Sequence, residues 1–125
     1  MNREIKFKVW DIEEKEMYEP HKIEYINFYD GFVTLKVVGF IEFEDAELLQ
    51  YTGLKDKNGK EIYEGDIIKR ESMAPGGLDR IGKITIEDGV IWIESNVDSV
   101  CLFDEIDELE VIGNIYENPE LLEEK

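Results

Sequence analysis

QYTGLKDKNGKEIYEGDIIK, the run from Gln50 to Lys69, decides how the rest of the chain is read. Asn58-Gly59 lies between two short segments carrying apolar residues, and Asn-Gly is the pair that most easily takes the positive φ angles of a tight hairpin turn. Leu54 leads into the expected hairpin; Ile62 and Tyr63 lead out of it. Glu64-Gly65-Asp66 then breaks the alternation before Ile67 and Ile68 resume as a strand. A glycine inside a strand pattern marks a bulge or sharp bend, so the chain is expected to turn twice within this run.

On its N-terminal side, Ile5, Phe7 and Val9 alternate with Lys6 and Lys8, the period-two pattern of a strand over residues 4–10 with one buried face. Glu13 to Glu16 reads as a solvated turn and Met17-Tyr18 as a short return. Ile23 and Tyr25 alternate with Glu24 and Ile26. Phe32, Thr34 and Lys36 alternate with Val33, Leu35 and Val37, and Asp30-Gly31 supplies a turn between the two runs, giving a second hairpin. The apolar content of Phe32 to Phe43 exceeds what one simple strand buries, and Gly39 marks a kink or chain reversal. Glu44 to Gly53 carries the one internal helix signal. Glu44 or Asp45 suits its start, Leu48, Leu49 and Tyr51 offer an apolar side, and Gly53 can end it. A helix of about two turns is marginal alone, so Leu49 and Tyr51 are expected to press it onto the sheet.

On the C-terminal side, Arg70 to Asp79 contains Ala74-Pro75-Gly76-Gly77, a loop composition for which mobility is expected. Strands are expected over Arg80 to Asp88, over Val90 to Glu94 after a tight Asp88-Gly89 turn, over Ser99 to Phe103 and over Leu109 to Tyr116. Asn118-Pro119 introduces a terminal helical turn in Glu120 to Lys125, with Leu121 and Leu122 covering an edge. Short, closely spaced strands without an intervening long helix favour a closed or half-closed antiparallel barrel. The fold class is therefore mainly β (α+β). Residues 1–53 form N-terminal strands and a short helix, residues 54–125 a small antiparallel β-barrel, and the two can make one compact unit.

The charge excludes more than it assigns. The 125 residues hold 14 basic and 31 acidic side chains, a formal charge of −17, which opposes approach to a phosphate backbone and disfavours direct nucleic-acid binding. The charge is also segregated: Lys55 to Lys83 holds seven basic and six acidic residues, whereas Ile84 to Glu124 holds thirteen acidic residues and no lysine or arginine. With 42% hydrophobic and 36% charged residues in patterned runs, the chain should fold. No apolar run approaches the ~18 residues of a membrane span, and Met1-Asn2-Arg3-Glu4 lacks the regions of a secretory signal; a cytosolic protein is expected. A single cysteine, Cys101, excludes an intramolecular disulfide and, with His21 the only histidine, leaves no ligand set for zinc.

Three blocks carry a family resemblance: Arg3 to Asp11, Gln50 to Lys69, and Val111 to Leu122, which reads VIGNIYENPELL. Together they closely resemble the YopX family of phage and prophage proteins, and they span nearly the whole chain. The resemblance implies a phage or prophage origin in a bacterial cytoplasm and a C-terminal part like a small SH3-like β-barrel. It brings no catalytic residues to carry over.

Each candidate site competes with a plainer reading. Asp56, Asn58 and Gly59 resemble part of a calcium loop, but aligning Gly59 on that loop's glycine puts Leu54 at the first ligand and Gly65 where a bidentate glutamate belongs, so the match fails. Asp104, Glu105, Asp107, Glu108 and Glu110 would hold a divalent cation only if three carboxylates were brought together; such a run is more often a solvated loop. His21 and Cys101 would suit a nucleophile and base, yet Cys101 lies in an apolar run and His21 in a turn. Ser72 and Ser99 have no second histidine to activate them. Trp10, Trp92, Tyr63 and Tyr116 would make a stacking surface, but aromatics on strands are usually core. No catalytic, metal-binding or cofactor-binding residue is assigned.

The preferred reading is a non-enzymatic accessory protein acting through protein contacts as a homo-oligomer, or with a host or phage protein. The candidate interaction surface is Lys55, Lys57, Lys60, Lys69 and Arg70 beside the acidic Asp104, Glu105, Asp107 and Glu108, so that the near-neutral segment of one copy docks on the acidic segment of another. One alternative is a DNA mimic, its acidic strip occupying a basic host or phage DNA-binding protein. The other is an enzyme on a small substrate, which needs a pocket with converging carboxylates.

Overall fold

The computed structural model describes residues 5–37, 39–70, 80–95, 99–101 and 109–122. The described chain is mainly antiparallel β, in twelve strands with three 3-10 turns. It divides into two compact units, Glu4–Gln50 and Tyr51–Lys125.

In the first unit β1 (Phe7–Asp11) pairs with β2 (Glu16–Tyr18) on one side and, on the other, with the first half of β6 (Ala46–Lys55). The turn into β2 is held by Asp11, whose Oδ1 accepts the amides of Glu13 and Glu14 at 3.1 and 3.0 Å. A second sheet is the meander β3 (Ile23–Asn27), β4 (Phe32–Leu35) and β5 (Gly39–Glu42). Gly31, at φ +77°, turns β3 into β4, and Gly39, at φ +110°, begins β5, as the expected second hairpin and chain reversal require. Val9, Val33, Leu35, Ile41 and Ala46 form the core of this unit, with Ile23 and Ile26 packed against it.

The helix expected over Glu44 to Gly53 is a strand. Its helical tendency survives only as the 3-10 turn Phe43–Asp45, closed by the Ala46 amide on the Phe43 carbonyl. From Ala46 onward the backbone instead joins a ladder with β1, pairing Asp11 with Ala46 through to Phe7 with Gln50. A two-turn helix lacks the length to repay its nucleation, whereas the ladder satisfies the same backbone groups and buries Leu49 and Tyr51.

In the second unit the latter half of β6 pairs with β7 (Glu61–Tyr63), making the expected hairpin. Its turn is longer than a two-residue Asn-Gly turn: Gly59 takes φ +83° while Asn58 does not enter the positive region. The strands β8 (Asp66–Arg70), β9 (Arg80–Glu87), β10 (Val90–Glu94) and β11 (Ser99–Cys101) follow as a meander. β12 (Leu109–Asn114) returns to the free side of β8, giving the order β11-β10-β9-β8-β12. Asp88 and Gly89, at φ +54° and +78°, make the tight turn between β9 and β10. A Cβ on Gly82 would lie 2.8 Å from the Glu94 carbonyl oxygen, so β10 approaches β9 there more closely than any side chain allows. The sheet is accordingly curled, consistent with a small β-barrel. Ile62, Ile68, Ile84, Ile91, Ile93, Leu109 and Val111 fill its core. The terminal turn is the 3-10 segment Pro119–Leu122. The loop expected at Arg70 to Asp79 falls mostly outside the described residues, as do Leu102 and Phe103.

Candidate interaction surface

The buried carboxylates of this protein hold turns. Asp56, only 5% exposed, directs Oδ1 to the amides of Asn58 and Lys60, both at 2.9 Å, and Oδ2 to the amide of Val111 at 2.9 Å. Burial alone would raise its pKa. The amides of Val111, Lys60 and Asn58, helped by the Lys60 charge, outweigh that and hold it below the usual carboxylate range. Both oxygens are thus engaged by backbone amides, and the hairpin turn is tied to β12. Asp66, also buried, accepts the Tyr63 amide at 2.7 Å across the Glu64-Gly65 bend. Thr52 donates to the Ile62 carbonyl at 2.7 Å and accepts from the Leu54 amide at 3.1 Å, bracing the base of the hairpin.

The charged surface expected around this hairpin is only partly within the described residues. Lys55, Lys57 and Lys60 are exposed near the turn, while Lys69 and Arg70 are half-buried on β8. Lys69 sits directly across from Glu110 of β12, so one cation of the set faces an anion of its own chain. Asp104, Glu105, Asp107 and Glu108 lie outside the described residues. His21 is exposed in the 3-10 turn Pro20–Lys22; the side chain of Cys101 lies outside the described part of the chain. Among the described residues no three His, Cys, Asp or Glu side chains are grouped to hold a metal ion. Of the four aromatics considered as a stacking surface, Trp10 and Tyr63 are buried.

A different set of aromatics is on the outside. Tyr25 is opposite Thr34, which is opposite Phe40; Asn27 is opposite Phe32, which is opposite Glu42. Residues directly across antiparallel strands share a face, so these six lie on one side of the β3–β4–β5 sheet. Ile26, Val33 and Ile41 lie on the other, where Val33 and Ile41 are core. Tyr25, Phe32 and Phe40 form a ladder of edge-on rings, with centroids 6.3 and 5.6 Å apart. Tyr25 remains 53% and Phe40 64% exposed. Phe28, 64% exposed just beyond β3, packs apart from this ladder, with Phe43 at 6.0 Å and Phe7 at 6.2 Å.

The stretch of chain that carries this face is acidic. From Ile23 to Gln50 the chain has six acidic residues and one basic residue, Lys36. Glu42, Glu44 and Asp45 crowd where β5 runs into the 3-10 turn. A side-chain hydrogen bond and the charge of Glu42, with the charge of Asp45, raise the pKa of Glu44. Beside Tyr25 an open groove of about 290 Å³ is lined by Ile5, Phe7, Ile23 and Ile26, with Lys6 and Pro20.

The described residues define a small antiparallel β protein whose buried carboxylates serve its turns and whose β3–β5 sheet turns Tyr25, Phe32 and Phe40 outward. The chain belongs to the YopX family: the family model described as "YopX protein" matches residues 6–123. Among solved structures it is similar to protein EF1440 from Enterococcus faecalis, with 29% identity, a TM-score of 0.74, and coverage of 97% of this chain and 99% of that one. No curated protein sequence matches it.

Proposed function

We propose that this chain is a phage or prophage accessory protein that works through protein–protein contacts and not by catalysis, in the bacterial cytoplasm. One observation carries the reading: the ladder of Tyr25, Phe32 and Phe40 on the outer face of β3–β5. Monomeric soluble proteins rarely keep large contiguous apolar patches, and a patch with a polar rim marks a contact site. Two rings of this ladder, Tyr25 and Phe40, are each more than half exposed. The buried carboxylate Asp56 is engaged at both oxygens by the amides of its own turn and of β12, a structural role. Contacts with further copies of the chain are part of the proposal, with the exposed Lys55, Lys57 and Lys60 giving an acidic neighbour a cationic edge to meet.

The test compares the wild-type chain with a Tyr25→Ser/Phe40→Ser variant by sedimentation over a range of concentrations and by quantitative capture from bacterial lysate. Association of the wild type, with proteins of the lysate or with itself, that is lost in a variant of unchanged circular dichroism is expected. A wild type that stays monomeric at physiological salt, and captures the same proteins as the variant, overturns the reading.

A further inference from the structure

We infer that the β3–β5 face takes a basic, apolar segment of another protein, with arginine or lysine side chains over the Tyr25, Phe32 and Phe40 rings and against Glu42 and Glu44. This rests on the reading of that face as a contact surface and adds the chemistry of what covers it.

Charge complementarity selects the occupant. Glu42 lies on the same face as the ladder, directly across from Phe32, so a carboxylate stands beside exposed aromatic rings. Glu44 and Asp45 follow within the next turn, in a stretch from Gly39 to Gln50 that has no lysine or arginine. Glu42 and Asp45 stand close enough to Glu44 for their charges to raise its pKa, a repulsion that an incoming cation relieves. A guanidinium can satisfy both features at once, lying over a ring face while its planar donors pair with a carboxylate. A second copy is a poorer occupant. Packed face to face, two such surfaces would bring Glu42 of each copy into one contact, with no lysine or arginine among the six residues of that face to offset them.

The probes are three short peptides, one of alternating arginine and leucine, one with glutamate and one with serine in place of arginine. Each is titrated into the full-length chain labelled with 15N, and amide shifts are followed. The arginine peptide should move amides across β3, β4 and β5 and the Phe43–Asp45 turn, and the glutamate peptide should not bind. Glu42→Gln/Glu44→Gln should weaken the arginine peptide by about tenfold, as loss of two rim carboxylates from a desolvated contact implies. Glu13→Gln/Glu14→Gln, which removes the same charge at the β1–β2 turn, should leave it unchanged.

Equal loss in both variants would mean attraction to bulk charge and overturn the inference, as would equal binding of the serine peptide at the same face. In that last case the contact-surface reading stands. Concentration-dependent shifts of the same amides without peptide would assign the face to a second copy, also sparing that reading. If no peptide binds and the Tyr25→Ser/Phe40→Ser variant associates like the wild type, both fail.

Discussion

Replacing Asp56 by alanine removes one acceptor group that serves three amides on two separate parts of the second unit. The cost divides by exposure. Asn58 and Lys60 are exposed, so water can take over their amides and each bond contributes about 0.5–1 kcal/mol. Val111 is 9% exposed, and its amide, 2.9 Å from Oδ2, is left without the acceptor that reached it from the hairpin. A hydrogen bond to a charged group is worth about 1.5–3 kcal/mol, and a stranded buried donor costs a similar amount. Asp56→Ala should therefore destabilise by about 3–4 kcal/mol, a large share of the ~5–15 kcal/mol typical of a folded protein. Urea unfolding of the full-length chain, followed by tryptophan fluorescence, measures it, and hydrogen exchange at the Val111 amide locates it. A loss below about 1 kcal/mol with unchanged Val111 protection would refute the account of Asp56 as a tie between hairpin and β12. The pH dependence follows from the same bonds. The folded-state pKa of Asp56 is lowered, so its contribution is present above the unfolded value of about 3.9 and is lost as pH falls through the folded value. Asp56→Asn should flatten that acid limb, because the amide side chain does not titrate.

Gly82→Ala should cost about 1–3 kcal/mol, since its Cβ would meet the Glu94 carbonyl at 2.8 Å and the Ile93 side chain at 2.9 Å. Gly59→Ala has open space around it and only its φ of +83° to oppose it, so about 1 kcal/mol is expected; thermal unfolding of the pair separates crowding from backbone strain. Ile84→Ala, at a fully buried position in the β8–β12 core, should lose about 2–5 kcal/mol in urea titration. Phe40→Ser should change stability by no more than about 0.5 kcal/mol, because Phe40 is 64% exposed; a larger loss would mean that the ring serves the fold and not a contact.

Where turn chemistry decides the fold, it was legible in the sequence. Gly31, Gly65 and Asp88-Gly89 all take the positive φ angles their neighbours called for. At Asn58-Gly59 the same signal placed the hairpin but missed its form, because the loop is organised by Asp56, which accepts from the amides of Asn58 and Lys60. The Asp56 bond to Val111 spans 55 residues, and no local pattern announces such a tie. Glu44 to Gly53 was misread for a related reason. Capping residues and apolar spacing are local signals, whereas the partner that makes Ala46 to Gln50 a strand is β1, at the other end of the first unit's sequence.

The aromatic face was half visible, and the missing half has a physical cause. Phe32 to Phe43 held more apolar residues than one strand could bury, and the structure shows why: β4 and β5 each place an apolar residue on both faces. Val33 and Ile41 go inward, Phe32 and Phe40 outward. Period two reports alternation but not which set is inside, and when both sets are apolar the pattern cannot choose between them. An irregularity between Ile23 and Tyr25 then decides the third strand. The register shift in β3 sends Tyr25 to the face of Phe40 and leaves Ile26 opposite Val33, so an alternation counted from Ile23 assigns both wrongly. The surplus of apolar residues was thus the sequence signal for a surface, and the six acidic residues against one lysine from Ile23 to Gln50 are the charge pattern that the proposed partner would have to match.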